Sequence, residues 1–184
     1  MGIKKSFTLI ETIVVIAVIG LTIPAIFAII FGLVREQTKI YRLSEVKRQG
    51  DFVLNNISVL IRNNALSVHS ASPPTVANEK CSIVESYSSS SSLYFIDQND
   101  NWFGFSLSNN KVSSVSATPV DLTSLKVIVS NLTIGCQKTA LYSPAIVSLY
   151  FDICYRTGAG TCTSSRPEEL ATLHYQTKIK LRNF

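Results

Sequence analysis

The sequence predicts an α+β fold: a long N-terminal helix, transmembrane in its first half and amphipathic in its second, packed on an antiparallel β-sheet. Three observations carry that prediction. Thr12 to Val34 is a run of 23 residues without a charge, 18 of them apolar. From Arg35 the pattern turns amphipathic, with no breaker before Pro73-Pro74. Beyond that pair the apolar period drops to two, with turn residues between short runs. The chain has 184 residues, enough for one domain plus an appendage. Its 46% hydrophobic against 16% charged residues exclude disorder, and the concentration of apolar residues in Thr12 to Val34 excludes a purely soluble protein. No second run like Thr12 to Val34 occurs, which excludes a polytopic membrane protein.

The N-terminal run comes first. Twenty-three residues make about 35 Å of helix, enough for a hydrocarbon core of roughly 30 Å. A secretory signal has a shorter apolar core and a small-residue cleavage site, and Arg35-Glu36-Gln37 supplies no such site. The run is therefore read as a retained anchor. Glu11 sits one turn into it, where an ionised carboxylate costs about 2.5–3.5 kcal/mol. Either the helix N-terminus and nearby headgroup water stabilise it, or another subunit supplies a cation. Gly20, Pro24 and Gly32 are expected to loosen this half of the helix, since Pro removes a donor and Gly weakens propensity.

Lys4-Lys5-Ser6-Phe7-Thr8-Leu9-Ile10-Glu11 followed by a long apolar stretch closely resembles the processing signal of type IV prepilins and pseudopilins. The match covers roughly the first 30 residues. The resemblance implies that prepilin peptidase cuts on the cytoplasmic side between Ser6 and Phe7, and that Phe7 is then N-methylated. It also implies that Glu11, the fifth residue of the mature chain, acts in assembly. Implied partners are other pilin or pseudopilin subunits, the peptidase, an inner-membrane assembly platform and membrane lipid. The sequence departs from the family at Ser6, where Gly is usual, and at Pro24, four positions before the proline of many major pilins, where Ala28 stands.

The chain thus divides into a cleaved leader at 1–6, an assembly helix at 7–34, an amphipathic helix half at 35–72, and a β domain at 73–184. Ile40, Leu43, Val46, Val53, Ile57 and Leu60 recur at steps compatible with 3.6 residues per turn. A single helix from about Phe7 to Leu66 would be roughly 90 Å long. Its apolar positions keep no strict heptad, which weakens a coiled-coil reading.

In the β domain, Ser82 to Tyr87, Leu93 to Asp97, Trp102 to Leu107 and Lys111 to Ser116 read as short strands. Gln98-Asn99-Asp100-Asn101 and Asn109-Asn110 supply turns, because Asn and Asp tolerate left-handed backbone angles. Leu125 to Val129, Leu132 to Ile134, Ala145 to Cys154 and Leu173 to Leu181 continue the pattern. In the last, Leu173, Tyr175, Thr177, Ile179 and Leu181 face one side, and His174, Gln176, Lys178, Lys180 and Arg182 the other. One sheet with one buried face is expected, covered by the amphipathic helix. The final strand and the Leu93-to-Leu107 hairpin loosely resemble those of minor pseudopilins, which favours a minor subunit. Ser88 to Ser92 is expected as a solvated loop.

Four cysteines allow three pairings. Cys154 and Cys162 flank a short Gly-bearing loop that a disulfide could close, which leaves Cys81 with Cys136; buried free thiols are the other reading. Disulfides would put this domain on an oxidising, extracytoplasmic side, with the N-terminus in the cytoplasm. Counting Lys and Arg alone argues the opposite way, because Arg35, Lys39, Arg42, Lys47 and Arg48 outnumber Lys4 and Lys5.

No cofactor, metal site or catalytic constellation is expected. No G-x-S-x-G occurs, and His69 and His174 lie far apart in sequence. Asp97-x-Asn99-x-Asn101 imitates a calcium loop, but Trp102 stands where Gly belongs and Ser108 where the bidentate Glu belongs. Lys178, Lys180 and Arg182 could touch nucleic-acid phosphates or simply keep a sheet face wet; the wet face is the favoured reading. The sequence therefore points to a non-enzymatic pilin-like subunit. The alternatives are a single-pass receptor or adhesin that never polymerises, and an anchored enzyme whose catalytic constellation would have to be assembled by the fold.

Overall fold

The computed structural model describes residues 8–116, 118–158 and 160–182. Helix α1 (Leu9–Asn64) has 56 residues, about 84 Å at 1.5 Å per residue. Pro24 lies inside it, and Gly20, Pro24 and Gly32 leave it unbroken. Every large apolar side chain from Leu9 to Val34 is exposed, and this half is long and apolar enough to cross a membrane.

The second half of α1 buries Val46, Gly50, Val53, Ile57 and Ile61, an i, i+4, i+7, i+11, i+15 stripe. Ile40 and Leu43, expected on the buried face, are exposed. At that level α1 meets the 3₁₀ turn Pro167–Glu169 through the Arg42–Glu169 ion pair, and the Tyr155 ring, over which Arg42 stands.

The helix also ends earlier than the boundary at 72. Ala65 is already extended, and the Leu66 N–H donates to the Ile96 carbonyl at 2.8 Å. Strand β1 (Ser67–His69) follows at once. Asn63-Asn64 are weak helix formers, and a sheet hydrogen bond outcompetes one more helical turn there.

The β domain contains two antiparallel sheets where the alternation suggests one. The first is six-stranded, in the order β2-β1-β4-β5-β6-β7. Its further strands are β2 (Glu79–Lys80), β4 (Ser92–Ile96), β5 (Trp102–Ser108), β6 (Lys111–Val115) and β7 (Val120–Asp121). The second holds β3 (Ser86–Ser89), β8 (Val127–Gln137), β9 (Ile146–Tyr155) and β10 (Thr172–Lys180), in the order β10-β9-β8-β3. Sequence alternation reports which face a residue takes, not which sheet its strand joins.

Turn chemistry sets the registers. Asn109 and Asn110 both have positive φ, at 51° and 60°, and pair Ser108 with Lys111 in a two-residue hairpin. In the β4–β5 loop, Asp97 Oδ1 accepts the Asn99 and Asn101 N–H groups at 2.8 and 2.9 Å. That carboxylate is spent on its own turn. Leu125 to Val129 and Leu132 to Ile134, expected as separate strands, join in β8 through a bulge between Ser130 and Thr133. Asn131 takes φ 53° there, and Leu132 stays fully buried.

Two segments depart from expectation. Residues 81–84 are a bend, because Cys81 has φ 59° and its N–H donates to the Glu85 carboxylate, and the strand expected from Ser82 starts only at Ser86. Residues 88–89 belong to β3, not to a loop, since pairing with β8 needs only backbone groups. Ser89 Oγ then accepts the Ser91 and Ser92 N–H groups and turns the chain into β4.

One continuous core joins α1 to both sheets. It contains Val46, Val53, Ile57 and Ile61 from the helix, Phe95, Phe105 and Val112 from the larger sheet, and Leu149, Phe151 and Ile179 from the smaller. The helix lies along β9 and β10. Tyr175 of β10 stacks on Phe151 with ring centroids 5.1 Å apart. Its single hydroxyl proton lies between two acceptors, the Lys47 carbonyl at 3.1 Å and Asp51 Oδ1 at 3.0 Å. Burial first, then the Asp51 hydrogen bond, pushes the phenol up to about 12.

Gly50 is what allows this contact: a Cβ there would lie 2.2 Å from the Tyr175 ring. Stacking and the hydrogen bond shared between these two acceptors hold the ring in place. Gly50→Ala is therefore expected to cost about 1–3 kcal/mol by overpacking, less the roughly 1 kcal/mol that Ala returns in helix propensity. The urea midpoint checks this. The same change in a Tyr175→Ala background should stabilise.

Candidate functional site

Position 8 starts the described part of the assembly segment; Ser6 and Phe7, the expected processing residues, lie outside the described residues. Thr8 is the N-cap of α1 and Glu11 its third helical residue. The Glu11 carboxylate accepts the Thr8 backbone N–H at 3.2 Å, and the Thr8 hydroxyl approaches the same oxygen, Oε2, at 3.4 Å. An acid here also faces the positive end of the helix dipole. Glu11 is exposed on a helix whose neighbours Leu9, Ile10, Ile13 and Val14 are exposed as well. A carboxylate on such a surface can cap its own helix, and any apolar partner covering that surface must also accommodate its charge.

Both disulfides are present. Cys81–Cys136 ties the residue after β2 to β8, and so joins the edge of one sheet to the middle of the other, across a Cα separation of 6.2 Å. Cys154–Cys162 closes the loop after β9.

Two polar clusters escaped the sequence reading because strand register, not chain proximity, assembles them. On the smaller sheet, β9 pairs Asp152 with Ser130 of β8 and His174 of β10. Asp152 Oδ2 accepts the Asn131 amide at 2.7 Å, and Oδ1 accepts the Tyr150 hydroxyl at 2.7 Å. His174 Nδ1 also lies against Oδ1. The bulge aims Asn131 at this carboxylate. Burial pulls the Asp152 carboxyl upward, but the Asn131, His174 and Tyr150 hydrogen bonds outweigh it and hold the group below the usual range. The Tyr150 phenol is raised by the same Asp152 contact.

A carboxyl depressed on folding adds stability above its unfolded value, and loses it as pH falls through the folded one. Wild-type protein is therefore expected to lose urea resistance below about pH 4, and Asp152→Asn to lose measurably less over the same range. Identical acid profiles would show that the cluster contributes nothing.

The second cluster surrounds His69, which is 2% exposed. Its Nδ1 faces two acceptors, Asn78 Oδ1 at 2.9 Å and the Thr75 carbonyl at 3.1 Å, so Nδ1 carries the proton. Nε2 then accepts from Ser67 Oγ at 2.8 Å. The Ser–His–Asn order imitates a nucleophile relay. Its hydrogen bonds run inward, however: Asn78 also binds the Thr75 N–H and the Pro73 carbonyl. The set clamps residues 70–78 onto β1. Among the described residues no group of three His, Cys, Asp or Glu side chains is arranged to hold a metal ion.

The chain was compared with protein families, curated proteins and solved structures, and it matches none of them.

Proposed function

We propose that this chain is a type IV pilin-like structural subunit, a minor pilin or pseudopilin. It is inserted with its leader in the cytoplasm and its β domain outside. It is cut between Ser6 and Phe7, methylated at Phe7, and added to a pilus or pseudopilus. The observation that carries the reading is the first half of α1, which is apolar all round, exposed from Leu9 to Val34, and bears the single carboxylate Glu11. Lipid covers such a surface before assembly, and helices of neighbouring subunits cover it afterwards. A new α-amino group at Phe7 of one subunit is the counter-charge that lets Glu11 of another be buried. Two disulfides support an exported domain.

One observation favours a second reading, an anchored receptor or adhesin that does not polymerise. Glu11 already has a local use as the partner of Thr8. Mass spectrometry of protein sheared from the surface of its native host separates the two. The pilin-like reading expects a chain lacking six residues and beginning at methylated Phe7. A chain that keeps Met1 and stays with the membrane sinks it.

A further inference from the structure

Three of the chain's cations were visible as a strip at the end of β10; the fold adds three more from distant positions. Arg62, Lys178, Lys180 and Arg182 line an open groove of about 580 Å³, together with Pro144 and Leu181. A second, smaller groove shares Leu181 and Arg182 with it and adds Lys80 and Lys138. Six of the chain's 17 Lys and Arg residues thus border two adjoining concavities. Glu79 is the one carboxylate among the residues lining them. None of the four first-groove cations pairs with a carboxylate of the described residues. Lys138 Nζ donates to the Ser82 carbonyl at 2.8 Å, and Lys80 stands over the Tyr87 ring, so these two flank the groove from fixed positions.

We infer that this groove binds a nucleic-acid duplex through the phosphates of one strand, without reading its sequence. Lys178 and Lys180 project from the same face of β10, about 6.8 Å apart, comparable to the spacing of successive phosphates along a strand. Arg62 and Arg182 add fork-shaped donors suited to phosphate. No lining residue of the first groove is aromatic. That disfavours single strands, which need stacking platforms, and costs a duplex nothing, since its bases are already stacked.

Other occupants fit less well. A protein partner would want aromatic anchors and few lysines at the contact. Lipid headgroups are out of reach: Arg62 stands 28 residues beyond Val34 on one helix, about 42 Å from the end of the apolar run. A neighbouring copy could offer Glu168 and Glu169, but those sit among Arg35, Arg42 and Arg166. Lysines on the edge strand β10 also discourage strand addition, yet that role gives no reason for Arg62, Lys80 and Lys138 to gather at the same end. The inference does not depend on filament assembly.

The test uses the full chain in nanodiscs of phosphatidylcholine and the fluorescence anisotropy of a 20-base-pair duplex. Four phosphate contacts predict a log–log salt slope near −3.6, about a 150-fold loss of affinity between 50 and 200 mM salt. Arg62→Gln/Lys178→Gln/Lys180→Gln/Arg182→Gln should flatten most of that slope at unchanged melting temperature. Lys39→Gln/Lys47→Gln/Lys126→Gln should not. Polyglutamate, poly(glycerol phosphate) and a single strand are the competing probes, and each should bind more weakly than the duplex. A flat slope, equal losses in the two variants, or tighter binding of any competitor overturns the proposal.

Discussion

Glu11→Ala is expected to leave the chain inserted and its leader cleaved, but to cut its recovery in sheared filaments by roughly 150-fold or more. The magnitude follows from the charge left behind: stranding one partner of a buried pair costs about 3–5 kcal/mol. The amine of a trimmed neighbour would be the stranded group. The structure also supplies a rival cause, because Glu11 accepts the Thr8 N–H at the first turn of α1, and Ala would lose that as well. Loss of such a contact costs only about 0.5–2 kcal/mol. Glu11→Gln separates the two. Its amide oxygen can still accept from Thr8, but it carries no charge. If Gln assembles as poorly as Ala, charge neutralisation between subunits is the operative effect. If Gln restores assembly, Glu11 works only on its own helix and the pairing account fails. Blotting sheared and membrane fractions for each variant reads the outcome directly.

What the sequence shows of this site is its charge anomaly. One carboxylate in a run of apolar residues is visible without coordinates, and so is the 3.6-residue period that places Val46, Val53 and Ile57 on one face. The cap was not visible, because Thr8 to Glu11 is a common spacing and only the start of α1 at Leu9 makes them partners. The same limit explains Gly50. As a residue type it signals helix weakness, and only the ring of Tyr175, 125 positions away, turns it into a packing requirement. Strands were legible where side chains alternate, as in Leu173 to Leu181, and illegible where pairing is carried by backbone alone, as at Ser88 and Ser89, the second half of β3. Division of the strands into two sheets was hidden for a related reason: β1 and β2 have three and two residues, too few to show a period. Asp152 and the basic groove needed register, because their members come from three or more separate segments.

The two disulfides should differ in their worth, and the difference tests how the β domain is held together. Cys81–Cys136 closes a separation of 55 residues, Cys154–Cys162 one of 8. By loop-closure entropy the first is worth about 4 kcal/mol and the second about 2.5 kcal/mol. Position widens the gap. Cys81 and Cys136 are 4% and 2% exposed within the continuous core, and their bond fastens the six-stranded sheet at its β2 edge to β8. Strand β2 pairs through two residues only and has little else to hold it. Cys154–Cys162 closes a local loop whose ends the Thr157 hydroxyl already joins, donating to the Thr161 carbonyl at 2.9 Å. Cys81→Ala/Cys136→Ala is therefore expected to lower the melting temperature by about 8–16 °C. Cys154→Ala/Cys162→Ala should lower it by less, about 5–10 °C by the same scaling. Alanine is the substitution of choice because serine would bury hydroxyls and add a cost unrelated to the cross-link. Thermal melts of detergent-solubilised protein, followed by far-ultraviolet circular dichroism, measure both. Wild-type protein melted under reducing conditions should fall at least as far as the first variant. Equal losses, or a larger loss at Cys154–Cys162, would mean that hydrophobic packing alone joins the two sheets and that the long-range bond is incidental to the fold.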